Sequence, residues 1–312
     1  MNSPTVSILT PVYNRRTFIR ASIESSLAQT YTDFELVIID NVSTDGTWEI
    51  CKEYARQDSR IRLLRNDTNI GGMRNWILTC QEARGKFGKM VFSDDTLHPR
   101  FLETAVPMMA DDVAFVYSPA EIGEEQEKGQ IFYRWKETTG FYSVEDYLHG
   151  TLLVLAPTSP GSTLHRVADM RKNLRTDIVS PTIADFATHG VGPDLFLQLL
   201  TADAYPKVGF IAEPMALFRS HSGTMTRAVE GRRDDCYAQV RISFGLKSRH
   251  RWYLTQSLGA AWLRKMRERG GWVSADAVKR QFLCSPDEVS TAELVAGTWN
   301  VFAAKLRHRL SA

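Results

Sequence analysis

Residues 7–50 read SILTPVYNRRTFIRASIESSLAQTYTDFELVIIDNVSTDGTWEI, and the order of patterns inside this stretch decides the fold. Val6 to Leu9 is a short β-branched run closed by Pro11, and Phe34 to Ile39 is a second apolar run that ends in Asp40 and Asn41. Between them Phe18, Ile19, Ile23 and Leu27 recur at helical spacing, which makes the stretch a β-α-β unit. Working outward, Gly46 to Gln57 reads as a helix capped by Thr44 or Asp45, and Ile61 to Leu64 as a strand. A further helix opens near Gly71, and Lys89 to Phe92 is a fourth strand. This alternation predicts a doubly wound α/β domain, a mostly parallel sheet with helices on both faces, over residues 1–118.

After Ser118 the alternation loosens into an α+β half, residues 119–227, with a strand over Ile131 to Trp135 and a short helix over Ser143 to Leu148. From Arg232 the pattern is helical. Trp252, Leu254, Leu258, Trp262 and Met266 share one face, while arginines and lysines supply the charge. Residues 228–312 carry 15 Lys and Arg against 8 Asp and Glu in a chain whose net charge is only +2, and they hold four of its seven tryptophans. The expected division is therefore a body, residues 1–227, and a basic, tryptophan-rich helical tail, residues 228–312.

At 312 residues, 43% hydrophobic and 24% charged, the composition excludes disordered, collagen-like and coiled-coil chains. No apolar run reaches the roughly 18–20 residues that span a bilayer. Met1 to Pro4 lacks the basic-then-apolar layout of a signal peptide, and the four cysteines are too scattered for a zinc knuckle or a disulfide framework. The expected location is the cytoplasm, either free or peripheral on the inner membrane face.

In open α/β sheets ligands bind beyond the carboxyl ends of the strands. Here those ends are polar: Thr10, Pro11, Tyr13 and Asn14 follow the first, Asp40 and Asn41 the second, and Ser93, Asp94 and Asp95 the fourth. Adjacent carboxylates with no basic neighbour in sequence repel each other unless a cation lies between them and a ligand. A hard divalent ion such as Mg²⁺ or Mn²⁺, completed by phosphate oxygens, satisfies that need. The alternative is a solvated turn ahead of a helix over Pro99 to Met109, with Asp95 as its cap.

The opening stretch, with its P-x-Y-N turn and its DNVSTDGT in place of VVDDGSTDGT, resembles family 2 glycosyltransferases of the GT-A fold. The resemblance continues in order through NIGGMRN (69–75), FSDD (92–95), SPGSTLHR (159–166), GPDLFLQLL (192–200) and LFRSHSGTMT (217–226). It implies an inverting, metal-dependent transferase. Such an enzyme moves a sugar from a nucleotide diphosphate to a hydroxyl of a glycan or lipid-linked glycan acceptor in bacterial polysaccharide synthesis. By resemblance, Thr10, Pro11, Tyr13, Asp40 and Asn41 line the donor's base and ribose, Arg74 lies near its phosphates, and Asp94 meets its ribose or sugar. Asp95 and His221 hold Mn²⁺ or Mg²⁺, with Asp94 and Asp95 open to exchange. Asn41 departs from the family's aspartate, yet its carbonyl can still accept an N3–H, so UDP- and dTDP-sugars are both compatible.

Asp194 matches the family's general base, with Asp185 and Asp177 nearby if the match slips. Pro193 stands where relatives often carry an acid, and it places Asp194 in the first turn of a helix, where an ionised carboxylate is favoured. Ser162 and His165 would lie on the acceptor side, the alternative being a buried strand that links the two halves. The tail's basic, tryptophan-bearing face suits a membrane surface, self-association or packing on the body, and it lacks the stacking motifs of nucleic-acid binding. A nucleotidyltransferase acting on a sugar phosphate is the rival enzyme, but PVYNRR lacks the glycine-rich triphosphate loop. A sugar-nucleotide-binding protein without turnover is the rival outside enzymology.

Overall fold

The computed structural model describes residues 3–124, 128–156, 158–183, 185–188, 190–221 and 231–311. The first half runs β1 (Val6–Val12), α1 (Ile19–Leu27), β2 (Phe34–Asp40), α2 (Thr47–Gln57), β3 (Ile61–Arg65), α3 (Gly72–Glu82), β4 (Phe87–Met90), β5 (Thr96–Leu97), α4 (Phe101–Ala105) and β6 (Val113–Tyr117). The second half runs β7 (Ala120–Gly123), β8 (Gln130–Phe132), β9 (Gly140–Ser143), α5 (Val144–Leu152), β10 (Thr163–Arg166), α6 (Val167–Asn173), α7 (Pro193–Asp203), β11 (Lys207–Phe210) and β12 (Ala216–Arg219). Four helices follow: α8 (Arg233–Lys247), α9 (Arg251–Arg269), α10 (Ala275–Phe282) and α11 (Thr291–Ser311).

The main sheet has the order β3-β2-β1-β4-β10-β6-β11-β9. The pairs β1·β2, β1·β4 and β2·β3 are parallel, as the β-α-β pattern predicts. Alternation along the strands feeds both faces. Val6, Ile8 and Val12 of β1 meet Leu36 and Ile38 of β2 under α1, while Leu9, Val37 and Ile39 meet Met73 and Trp76 of α3 on the other side.

The second half departs from simple winding. β10 enters the sheet antiparallel between β4 and β6, pairing Leu164 with Lys89 and with Val116. A second sheet, β5-β12-β7-β8, stands at the carboxyl end of β4. This pairing sets Arg219 beside the acid pair, because the Arg219 amide donates to Asp95 Oδ1 at 3.0 Å.

The helix expected over Pro99 to Met109 is one short α-helix followed by a 3-10 turn at Val106–Met108. The strand expected over Ile131 to Trp135 stops at Phe132, because Tyr133 takes a left-handed φ of 66°.

The first two tail helices are integral to the body. Cys236, Val240 and Phe244 of α8, with Tyr253 of α9, share a core with Phe115, Tyr147 and Phe196. Trp262 is buried and donates from Nε1 to the Val273 carbonyl at 2.7 Å, whereas Trp272 and Trp299 are 77% and 68% exposed. Helices α9 and α11 touch backbone to backbone: a Cβ on Gly259 would stand 2.6 Å from Thr298 N and Cα. Gly259→Val is therefore expected to lever α11 away, at a cost of about 1–3 kcal/mol for overpacking. Denaturant titration with a lowered midpoint checks this, and an unchanged midpoint would contradict the close crossing.

Candidate active site

The turn after β1 is laced to the turn after β2. Asn14, at φ 50°, donates its amide to Ser43 Oγ at 2.9 Å and accepts the Thr44 amide on Oδ1 at 2.9 Å. Arg15 donates its amide to Thr47 Oγ1 at 2.8 Å. Its guanidinium reaches across to Asp94, with Nε 3.3 Å from Oδ2. His221, stacked on Phe18 with ring centroids 4.4 Å apart, places Nε2 3.0 Å from the same Asp94 oxygen. The rest of the motif after Ser220, residues 222–226, lies outside the described residues.

Asp95 is the electrostatic centre of this cluster. Its enclosure, and after that the charge on Asp94, hold its carboxyl well above the usual carboxylate range; the Arg219 amide and the cations of Lys89 and Arg219 only partly oppose this. Lys89 is fully buried on β4, donates to the Gly161 carbonyl and lies over the Phe101 ring, and burial pushes its ammonium down to about 7. Two acids share one corner, with a weakened internal cation behind them. Among the described residues no group of three or more His, Cys, Asp or Glu side chains closes as a metal cage.

Asp194 sits in the first turn of α7, after Gly192 at φ 113° and Pro193. Its Oδ1 accepts the Gly192 amide at 2.9 Å, and its Oδ2 accepts the Tyr237 hydroxyl, also at 2.9 Å. Burial nevertheless raises its pKa, outweighing the Leu195 amide, the Tyr237 hydroxyl and the Gly192 amide that favour the ionised form. The helix start alone predicts the opposite direction. Asp194, Ser159, Phe218, Arg219 and Tyr237 line one cleft of about 1070 Å³. Arg219 thus touches both halves of the site, with its amide on Asp95 and its residue in the wall that Asp194 shares.

Several expectations need correction. Asp40 is fully buried, paired with Arg65 Nε at 3.1 Å and accepting the Ser43 amide, so its carboxylate is spent on shaping the turn. Asn41 is 1% exposed and fully engaged: Oδ1 accepts from Ile70 N at 3.0 Å and Asn66 Nδ2 at 2.9 Å, and Nδ2 donates to Asn69 Oδ1 at 2.7 Å. Ile70 N can only donate, and Asn69 Oδ1 already accepts from Gly71 N, so the amide orientation is fixed and no lone pair remains for a base N3–H. Thr10 is likewise enclosed, with a hydroxyl that has no partner among the described residues.

Ser162, in the 3-10 turn before β10, and His165, on β10 between β4 and β6, are both fully buried, as in the alternative of a buried linking strand. His165, packed on Phe115, is held down to about 3 by burial and then by Lys89. Pro11, Tyr13, Arg74 and Asp94 remain accessible, and Arg74 is exposed on the first turn of α3. Asp177 is spent on Arg175 and Asp185 on its own turn. Two contacts escaped sequence reading. Arg15 was visible only as a charge beside the P-x-Y-N turn, and Tyr237 gave no local signal because it arrives from a helix 43 residues on.

Residues 7–161 match the model of the family described as glycosyl transferase family 2, a span that holds the acid pair but not Asp194 or His221. The Bacillus subtilis protein EpsH is 33% identical over 117 residues, 37% of this chain and 33% of EpsH. The glycosyltransferase GlyG of Streptococcus pneumoniae is 27% identical over 131 residues, 42% of this chain and 44% of GlyG. The chain thus spans a third to under half the length of these curated relatives. The structure of S. aureus TarS 1–349 solved with UDP-GlcNAc superposes at a TM-score of 0.59 and 16% identity over 98% of this chain and 92% of that one, a likeness of fold. No helix among the described residues is long and apolar enough to cross a membrane. The strand-end motifs agree with that match, so residues 7–161, just under half of the chain, carry the likeness to glycosyl transferase family 2, and the TarS superposition adds the fold.

Proposed function

We propose that the chain transfers a sugar, with inversion, from a UDP- or dTDP-sugar to a hydroxyl of a glycan or lipid-linked glycan acceptor, with Mn²⁺ or Mg²⁺ at the acid pair. The observation that carries this reading is the arrangement around Arg219. Its amide bonds Asp95, which does not itself line the cleft, and the same residue lines the cleft with Asp194, so the reading joins a diphosphate at the acid pair to an acceptor hydroxyl in the cleft through Arg219. TarS, of the same fold, is solved with UDP-GlcNAc, which suits this donor class.

Asp94, Asp95 and His221 do not stand as a ready-made cage, so in this reading the ion would be held by the acid pair with His221 close by and with phosphate oxygens completing the shell. Asp95 is costly to ionise as it stands, and a cation would restore its charge. A bound ion would supply neutralisation of the charge that grows on the departing diphosphate. The chain's own groups do the rest. Arg15 orients Asp94, and the Arg219 amide fixes Asp95. Pro11 and Tyr13 border the base, and Arg74 is placed for the phosphates. Asp194 accepts the acceptor's proton at a carboxylate oxygen as the hydroxyl attacks the anomeric carbon.

Tyr237 is a positioning residue in this scheme, since its hydroxyl favours the ionised form of Asp194. Asp194 must be ionised to act, and burial has raised its pKa, so kcat/KM should fall on the acid side above the ordinary carboxylate range. Tyr237→Phe is expected to move that limb to still higher pH. A pH–rate profile checks this, and a limb that stays in place would remove Tyr237 from the mechanism.

Thermal shift with a panel of UDP- and dTDP-sugars, with and without Mn²⁺, tests the donor class. A nucleotide sugar at about 100 times its Kd adds about 2.7 kcal/mol of apparent stability. The expected result is stabilisation by a nucleotide diphosphate sugar that requires the ion. Stabilisation by UTP or dTTP alone would favour nucleotidyl transfer and overturn the proposal.

A further inference from the structure

Lys89 is a lysine set into an apolar core. Its partners in register on the neighbouring strands, Ile8 of β1 and Leu164 of β10, belong to that core, as does Phe101 of α4, whose ring centroid stands 4.4 Å from the ammonium nitrogen. The side chain is fully buried, and its ammonium donates to the Gly161 carbonyl. Taking a cation out of water is costly, and a methionine or leucine would fill the same space without that cost. A charge placed there has to act on something, and Asp95 is what it acts on. Burial works against both charges, and each of the two groups favours the ionised form of the other.

The fixed charges around the acid pair favour one kind of ligand over another. Arg15 pairs with Asp94 at 3.3 Å, and the cations of Lys89 and Arg219 both act on Asp95. Two carboxylates therefore face three cations, before His221 is counted. A bare divalent ion arriving there meets repulsion, and among the described residues no three His, Cys, Asp or Glu side chains gather to offset it. An ion that arrives with a nucleoside diphosphate brings the opposite net charge, and the same cations attract it. Arg15 and Arg219 are only partly buried and are free to turn towards a phosphate. Lys89 is not: it is enclosed on β4 and tied to the 3-10 turn Pro160–Ser162. That turn is itself wedged, since a Cβ on Gly161 would stand 2.9 Å from Phe218, the residue before Arg219.

We infer that Lys89 is a positioning residue which, acting through Asp95, makes the acid pair select a divalent ion carried by a nucleoside diphosphate over the bare ion. A divalent ion carries twice the charge of Asp95, so the repulsion it meets from Lys89 outweighs the help that Lys89 gives in ionising that acid. Phosphate oxygens reverse the balance. The inference rests on the reading that the ion sits at residues 94 and 95, but the buried ammonium and the excess of cations are independent of it.

Mn²⁺ binding to the full chain, with and without UDP, tests this at about pH 6.5, below the value of about 7 to which burial brings the ammonium. Bare Mn²⁺ is followed by electron paramagnetic resonance of the free ion, and UDP in saturating Mn²⁺ by calorimetry. Lys89→Met is expected to bind bare Mn²⁺ at least about tenfold more tightly than the unaltered chain, and UDP with Mn²⁺ no more tightly. Lys89→Gln, which keeps a donor but not the charge, should do the same. A lysine that only braced the Pro160–Ser162 turn would on removal weaken both ligands or neither. Bare-ion binding that is unchanged or weaker in the variants therefore overturns the inference, and so does an equal gain for both ligands. Melting curves show whether the variants fold. Should neither do so, the unaltered chain decides: it is expected to bind Mn²⁺ at least about tenfold less tightly without UDP than with it, and equal binding overturns the inference. Failure of the unaltered chain to bind UDP with Mn²⁺ would sink the transfer reading itself, a result distinct from every outcome of the variants.

Discussion

Asp194→Asn is expected to lower sugar transfer by about 10²–10⁴-fold, the range for loss of a positioned general base, while leaving donor binding in place. The substitution keeps the shape of the side chain: its one carbonyl oxygen can accept the Gly192 amide, while its NH2 faces the Tyr237 oxygen, which must then accept instead of donate. What disappears is the proton acceptor. An acceptor hydroxyl, whose pKa lies far above neutrality, then has nowhere to send its proton as it attacks. The deficit should sit in kcat, because a base contributes in the transition state and not in the ground state. Steady-state kinetics beside calorimetry with the nucleotide sugar separates the two. Transfer within a few-fold of the unaltered chain would dismiss Asp194 as the base.

Asp95→Asn should produce effects of opposite sign on activity and on stability. Electrostatic groups aimed at developing charge contribute about 10²–10³-fold each, so turnover should fall by at least that factor, and chelation of the divalent ion should do the same to the unaltered chain. The ion-free fold, in contrast, should become more stable at neutral pH. The Asp95 carboxyl has a folded pKa raised above its unfolded value, by enclosure first and by Asp94 second. Between those two values the folded state binds more protons, so the group's favourable contribution is complete below the ordinary carboxylate pKa and is lost as pH rises through the raised one. At neutral pH the carboxyl is therefore a liability that asparagine removes. Melting curves without added ion, at pH 4 and at pH 8, check this. The variant should gain at pH 8 relative to pH 4, and a variant less stable at both would contradict the electrostatic account.

The first half of the fold was legible because its signals are local. Continuous apolar runs in Val6–Val12 and Phe34–Asp40, with helical spacing between them, fix strand, helix and parallel pairing within some forty residues. The insertion of β10 between β4 and β6 was not, since it depends on segments some fifty and seventy residues apart with no turn chemistry to mark them. The site divides along the same line. Asp94 and Asp95 could be singled out because a strand end is marked by its own sequence, whereas Asp194 was singled out only by its match to the family's motif. Which way a polar residue faces at a strand end is not so marked. Asp40 and Asn41 point inward and are consumed in building the loop, while Tyr13, two residues beyond its strand's Pro11, stays 41% exposed. His165 falls on an interior strand where both faces are covered, a fact visible only once β10 is placed. Tyr237 reaches Asp194 because α8 packs into the body's core, one of the arrangements the tail's composition left open.

A crystal of the chain with UDP and Mn²⁺, read by the anomalous signal of manganese, tests the central claim most directly. The predicted result is a peak within coordination distance of Asp95, with the diphosphate against it and its terminal phosphate directed into the cleft that Asp194 lines. An ion and nucleotide held away from residues 94 and 95, or a diphosphate pointing away from that cleft, would contradict the account.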